Sequence, residues 1–168
     1  VDYVKVRFLK EKVCRSYFKD TYHKWKDKKE YKNFVSDRFW LEGYGLFKAL
    51  KAVYEQVNWE EWPKEVRDFS EKTYQKLLEA HKETIEYHQY IQFWCHKQLN
   101  EAKIYAEKKK VFLKGDIPIL LNRDSADVWL YRTLFNLNYS AGAPPDQYSS
   151  TGQNWGFPIY DWEEMESQ

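Results

Sequence analysis

Cysteine is scarce in this 168-residue chain, which holds two, Cys14 and Cys95. Neither belongs to a CxxC pair, so a disulfide framework is excluded, and free buried thiols in a reducing, cytoplasmic setting are expected. Charge of one sign is also lacking. Lys plus Arg is 27 and Asp plus Glu is 26, a net charge of +1. That balance excludes nucleic-acid binding by bulk electrostatics. The basic runs Lys24 to Lys29 and Lys108-Lys109-Lys110 read as solvated helix ends, with acidic residues close by. No apolar run approaches the ~20 residues of a membrane span. The opening VDYVKVRFLKEK alternates charged and apolar residues, unlike a signal peptide. No P-loop, Rossmann glycine pattern or Ser-His-Asp arrangement occurs. The four histidines, His23, His81, His88 and His96, lack metal-ligand spacing, so no metal is expected. Internal repeats and low-complexity stretches are missing too.

Aromatic residues are abundant at 19%, with eight Trp. Most rings before residue 100 are expected to pack between helices. Residues 1–110 read as helical. Val6, Leu9, Val13 and Tyr17 recur at helical spacing and predict a helix over about 2–22. A short helix follows around Tyr31 to Val35. A third fits Leu41 to about Gln56, where Gly43 and Gly45 flank Tyr44 and imply close backbone packing. Pro63 suits the first turn of a new helix. From Glu71 to about Lys109 one long helix or two nearly collinear ones are predicted. Their expected apolar stripe is His88, Ile91, Cys95, Leu99, Ala102 and Ala106.

At Val111 the period changes. Val111 to Leu121 is a continuous apolar run interrupted by Lys114-Gly115-Asp116, which predicts a strand covered on both faces, as in a parallel sheet. Pro118 should end its regular pairing. A short helix is expected at Ser125 to Trp129, with Asp124 or Ser125 as N-cap, and mostly loop from there to the end. Asp124 and Asp127 either start that helix or line a cleft. Trp129 is assigned to the core. A strand that delivers Asp116 into a long loop is how a (β/α)8 barrel presents a carboxylate to a polar substrate.

The wording GDIPILLNRDSADVW, residues 115–129, followed by AGAPPDQYSSTGQNWGFPIYDW, residues 141–162, closely resembles the amylomaltases. These are the disproportionating enzymes, or 4-α-glucanotransferases, of the α-amylase clan. WLEGYGLFKALK at 40–51 and YIQFWCHKQLNEAKIYA at 90–106 extend the resemblance over most of the chain. It implies an α/β fold, a partial (β/α)8 barrel that is mostly helical in this segment with one or a few parallel barrel strands. Residues 1–110 would form a helical subdomain inserted in or packed on the barrel. Residues 111–168 would carry a barrel strand and the active-site lid.

The resemblance puts Asp116 at the end of the third barrel strand, ordering active-site charges. It likens Ala141 to Tyr160 to the lid loop over the cleft. There Asp146 can accept hydrogen bonds from glucose hydroxyls, and Tyr148 can stack on or bond to a sugar. Gln153 offers a donor and an acceptor to a diol edge, and Trp155 offers a ring face and an N–H. Gln147 stands where many family members carry an aromatic, which removes one expected stacking contact. The connection from Trp129 to Ala141 is shorter than in many relatives. QNWGFP resembles a branch that includes enzymes of branched glycans and heteroglycans.

Glycosyl transfer with retention needs two carboxylates about 5–5.5 Å apart. The family's nucleophile motif, Arg-x-Asp-His, has no match here, and its acid/base Glu motif and its stabilising Asp motif are also missing. A whole barrel needs about 250 residues, and the chain opens on Val1. We therefore expect a fragment of a larger enzyme, with nucleophile and acid/base downstream and no catalytic residue in this segment. The parent would transfer α-1,4-glucan segments between maltooligosaccharides and need no organic cofactor. The alternative is a non-catalytic helical carbohydrate-binding or interaction module.

Overall fold

The computed structural model describes residues 1–167. The chain forms two compact units, each discontinuous in sequence. The first comprises residues 1–49 and 75–114, the second 50–74 and Gly115 onward. The helical stretch 1–110 thus contributes to both.

The first unit is built on α1 (Tyr3–Trp25), α2 (Lys29–Ser36), most of α3 (Trp40–Val53), the later part of α5 (Glu71–Ala80) and α6 (Lys82–Lys108). Asp2 caps α1, its carboxylate accepting from the Lys5 N–H at 3.0 Å. The core is aromatic. Phe18, Tyr31, Phe34, Tyr87, Tyr90 and Phe93 are buried together with Leu41. Phe18 stacks on Tyr22 at 4.6 Å, and Tyr31 meets Phe93 edge-on at 5.3 Å. Such pairs add about 0.5–1.5 kcal/mol each beyond their buried area. Tyr90, fully buried, shares a 2.8 Å hydrogen bond with the Thr21 hydroxyl. Gly45 is where α3 meets α6, since a Cβ there would lie 3.0 Å from Ile85 Cγ2.

Two expected faces are corrected. α6 buries Ile85, Tyr87, Tyr90 and Phe93, whereas Leu99 and Cys95 are exposed. On α1 it is Phe18 that is buried, while Val6, Leu9, Val13 and Tyr17 are exposed. Phe18 of α1 packs edge-on against Tyr87 and Tyr90 of α6. The larger rings bury more area and win the core position. Cys14 is half-buried, so neither thiol is buried as expected.

The second unit starts with the end of α3. Glu55 and Gln56 follow it with positive φ, and then come a 3-10 turn (Trp59–Glu61) and α4 (Lys64–Arg67). Pro63 stands at the N-cap of α4 rather than in its first turn. Later come α7 (Ala126–Leu130), β1 (Phe135–Ala143), β2 (Gln153–Tyr160) and α8 (Trp162–Glu166). Ser125 is the N-cap of α7. Trp129 is fully buried, packed on Trp62 at 5.5 Å and Phe69 at 4.9 Å.

The strand expected at Val111 to Leu121 is not formed; residues 111–119 have no regular secondary structure and are exposed. A strand buried on both faces exists only through ladders on its edges, and no parallel neighbour occurs among the described residues. The sheet that does form is an antiparallel pair, β1 with β2, in a region expected to be loop. Its register runs from Phe135 opposite Tyr160 to Ala143 opposite Gln153. The ladder is irregular between Asn136 and Gly142. Pro158, without an N–H, lies in that stretch opposite Ser140. Gly142 is required because a Cβ would fall 2.0 Å from the Gln153 carbonyl oxygen.

Candidate functional site

The β1–β2 hairpin carries four of the five residues singled out from sequence, Asp146 and Tyr148 in its connection and Gln153 and Trp155 on β2. Asp146 braces it from within. One of its carboxylate oxygens accepts from the N–H groups of Tyr148 and Ser149, both at 2.8 Å, and its own N–H donates to the Ser149 carbonyl at 3.0 Å. Ser149 in turn donates through Oγ to the Gly152 carbonyl at 2.8 Å. Gly152 takes φ +74°, and a Cβ there would meet the Ala143 carbonyl at 2.6 Å. The second carboxylate oxygen of Asp146 carries no hydrogen bond among the described residues. Tyr148 projects into solvent, 88% exposed.

Gln153 and Trp155 lie two residues apart on β2, hence on one face of it. The Trp155 indole N–H donates to Gln153 Oε1 at 3.0 Å. That N–H was expected to be free for a ligand; here it fixes the ring instead. The pair presents the indole face and the two Gln153 Nε2 donors. Trp155 is 46% exposed, open enough for stacking. Gly156, at φ +74°, follows at once, and its N–H donates to Asn154 Oδ1 at 2.9 Å.

Asp116 is not gathered with them. It lies in the exposed 111–119 segment, and its carboxylate accepts from the Ile117 N–H at 2.9 Å. No hydrogen bond among the described residues joins it to the hairpin.

The base of the hairpin rests on a network that sequence reading did not find. Arg123 grips Glu60 with two N–H···O bonds, 2.7 and 2.8 Å, and donates a third to the Leu137 carbonyl at 2.6 Å. Those bonds hold the Glu60 carboxyl below its ordinary range, with burial opposing. The Trp59 indole donates to the Arg123 carbonyl at 2.8 Å. Asp124 does not cap the helix, whose N-cap is Ser125. It pairs with the buried Lys51 at 2.6 Å. Arg132 bonds Asp68 and the Arg67 carbonyl. Hydrogen bonds from Arg67 and Arg132 push Asp68 down to about 2. Apart from Arg123 with Leu137 and Arg67 with Asp68, these partners lie 63 to 73 residues apart in sequence, so no local spacing signals them.

Among the described residues no group of His, Cys, Asp and Glu is placed to hold a metal ion. No helix of the described residues is long and apolar enough to cross a membrane.

A sequence profile of the 4-alpha-glucanotransferases matches residues 1–168. The chain belongs to this family. It is 41% identical to 4-alpha-glucanotransferase DPE2 of Oryza sativa subsp. japonica over 98% of its own length and 18% of that relative's. It is 42% identical to the 4-alpha-glucanotransferase of Chlamydia pneumoniae over 77% of this chain and 24% of the other. Among solved structures it is similar to the amylomaltase from Streptococcus agalactiae in complex with acarbose. The TM-score is 0.90 at 29% identity, over 99% of this chain and 35% of that one. The chain therefore spans between about a sixth and about a third of the length of these glucanotransferases.

Proposed function

We propose that this chain is the substrate-binding segment of a cytoplasmic 4-α-glucanotransferase. That enzyme moves α-1,4-glucan segments between maltooligosaccharides through a retaining glycosyl-enzyme intermediate. The β1–β2 hairpin lies over the bound glucan. The Gln153–Trp155 pair carries this reading: an exposed indole with its tilt fixed, beside a primary amide with two free donors, matches the apolar face and hydroxyl edge of a glucose ring. Asp146 supplies its unused carboxylate oxygen and Tyr148 an exposed phenol. The acarbose bound by the Streptococcus agalactiae amylomaltase supports a sugar ligand at a site of this kind.

The two reacting carboxylates come from other parts of the whole enzyme, since the motifs that carry them in the family have no match here. In that enzyme residues 111–121 take their place as a strand of the (β/α)8 barrel between neighbouring strands. Asp116 is thereby brought to the cleft. In isolation the same residues have no ladder and stay exposed.

Steady-state kinetics on maltotriose test the reading in the full-length enzyme. Losing one hydrogen bond in a dry cleft costs about 1–3 kcal/mol, or roughly tenfold to a hundredfold in rate. Gln153→Ala should lower kcat/KM by at least about tenfold, and Trp155→Ala, which removes the stacking face and the ring that holds Gln153, should lower it as well, both with little change in melting temperature. Near-normal kinetics for Trp155→Ala together with a large loss of stability would make the ring a packing residue and end this assignment.

A further inference from the structure

A cavity of about 420 Å³ opens among α1, α3 and α6, wholly within the first unit. The hairpin contributes nothing to it. Its walls are apolar rings and side chains, chiefly Tyr44, Tyr87, Val6 and Ile91. Its rim is cationic. Arg7 and Lys10 lie three apart on α1, on one face of the helix, and Lys48 comes from α3.

The one carboxylate at this cavity is already engaged. Glu11 pairs with Arg15 at 2.7 Å, and its other oxygen accepts from the Tyr87 hydroxyl at 3.1 Å. Arg15 also covers the Tyr87 ring at 4.4 Å. Arg7, Lys10 and Lys48 have no ion-pair partner among the described residues. Three uncompensated positive charges therefore face one opening. His88 adds a neutral donor and acceptor: burial, and then the charge of Lys48, push it down to about 4.

We propose that this cavity is a binding site for a phosphorylated monosaccharide, distinct from the hairpin. The phosphate would sit among Arg7, Lys10 and Lys48, where charge-assisted bonds to a dianion are strongest. The sugar ring would lie against Tyr44 and Ile91, its hydroxyls reaching the Tyr44 phenol and the His88 imidazole. The volume falls at the lower end of ligand cavities, about 300–1,000 Å³, which suits one sugar ring better than a nucleoside triphosphate or an oligosaccharide. Ordinary solvated helix faces interleave both signs of charge; here the only acid is consumed internally, and a concave apolar floor lies beneath the cations.

Isothermal titration of the full-length protein with glucose 6-phosphate tests this. Parallel titrations use inorganic phosphate and glucose, and the variants are Arg7→Gln, Lys48→Gln, Lys48→Arg and Trp155→Ala. The expected result is saturable binding of glucose 6-phosphate, weaker binding of inorganic phosphate, and none of glucose at the same concentrations. Arg7→Gln and Lys48→Gln should each weaken binding about tenfold or more, as loss of one hydrogen bond to a charged group does. Lys48→Arg should restore it, which separates charge from folding. Trp155→Ala should leave it unchanged. No binding up to about 10 mM, an affinity too weak to matter, overturns the proposal. Equal affinity in the Gln variants overturns it as well, as does dependence on Trp155. Inorganic phosphate binding as tightly as the sugar phosphate overturns the assignment to a sugar.

Discussion

Replacing Asp124 with alanine removes one of the three acceptors around the Lys51 ammonium. That ammonium has three N–H donors. They are matched by the Gln56 carbonyl at 2.7 Å, the Val57 carbonyl at 2.9 Å and Asp124 Oδ2 at 2.6 Å. Lys51 is 7% exposed, so water cannot readily replace the lost partner. Breaking a buried pair by deleting one member costs about 3–5 kcal/mol. The Asp124 side chain is 28% exposed, which argues for the low end, about 3 kcal/mol. The backbone adds a reason. Glu55 and Gln56 hold positive φ, which side-chain-bearing residues adopt at a cost. Lys51 pins the carbonyls that follow from this turn. At about 2–4 °C per kcal/mol for a chain of this size, the melting temperature should fall by about 6–12 °C. Asp124→Asn keeps an acceptor and should cost about 1 kcal/mol. Thermal melts and urea unfolding of the two variants decide the matter. If Asp124→Ala stays within about 1 kcal/mol of the parent, below the cost of any broken buried pair, the network does not hold the turn. A double-mutant cycle with Lys51→Met should show coupling of about 0.5–3 kcal/mol.

Trp129→Ala should cost about 3–5 kcal/mol, as loss of a fully buried ring does, whereas Trp155→Ala should barely shift the melt; equal shifts would contradict their burial. His88 has a folded-state pKa near 4, below its ordinary value, so the unfolded chain takes up the proton first as pH falls. Stability it contributes above about pH 6.5 is therefore lost toward pH 4, by at most about 3 kcal/mol. Urea titrations at several pH values should show that slope, and His88→Gln should flatten it. In hydrogen exchange of this chain, the amides of Phe112 to Gly115 should exchange nearly unprotected while those of Ile85 to Phe93 are slow. Strong protection of Leu113 to Ile117 in a verified monomer would rule out the exposed, unpaired segment.

Helix positions were legible because periodicity is a local property. The expected helix over 2–22 forms at Tyr3–Trp25, and the stretch from Glu71 to about Lys109 forms as two helices with a break at His81. Faces were less legible, since Tyr87 and Tyr90 compete with His88 and Ile91 one residue along, and pattern alone does not weigh a ring against an aliphatic chain. The Val111 to Leu121 run has the composition of a buried strand, yet composition cannot supply the neighbour it must pair with. The hairpin escaped notice for the opposite reason. FNLNYSAGA and QNWGFPIY do not alternate cleanly, and no two-residue turn joins them. At the candidate site the residue types were readable from the family wording. The bond between Gln153 and Trp155 was not, because it exists only once both are on one strand. Lys51 with Asp124, 73 residues apart, could not be matched from spacing at all.

The hydrogen bond from the Trp155 indole to Gln153 also has a thermodynamic meaning. A bare tryptophan on an exposed strand samples several rotamers, and a ligand that needs one of them must freeze the rest. Here one hydrogen bond made on folding favours a single rotamer. Association is spared part of the about 0.5–1.5 kcal/mol that ordering a side chain costs. The same bond couples the two residues, so replacing Gln153 also removes the partner that orients the ring.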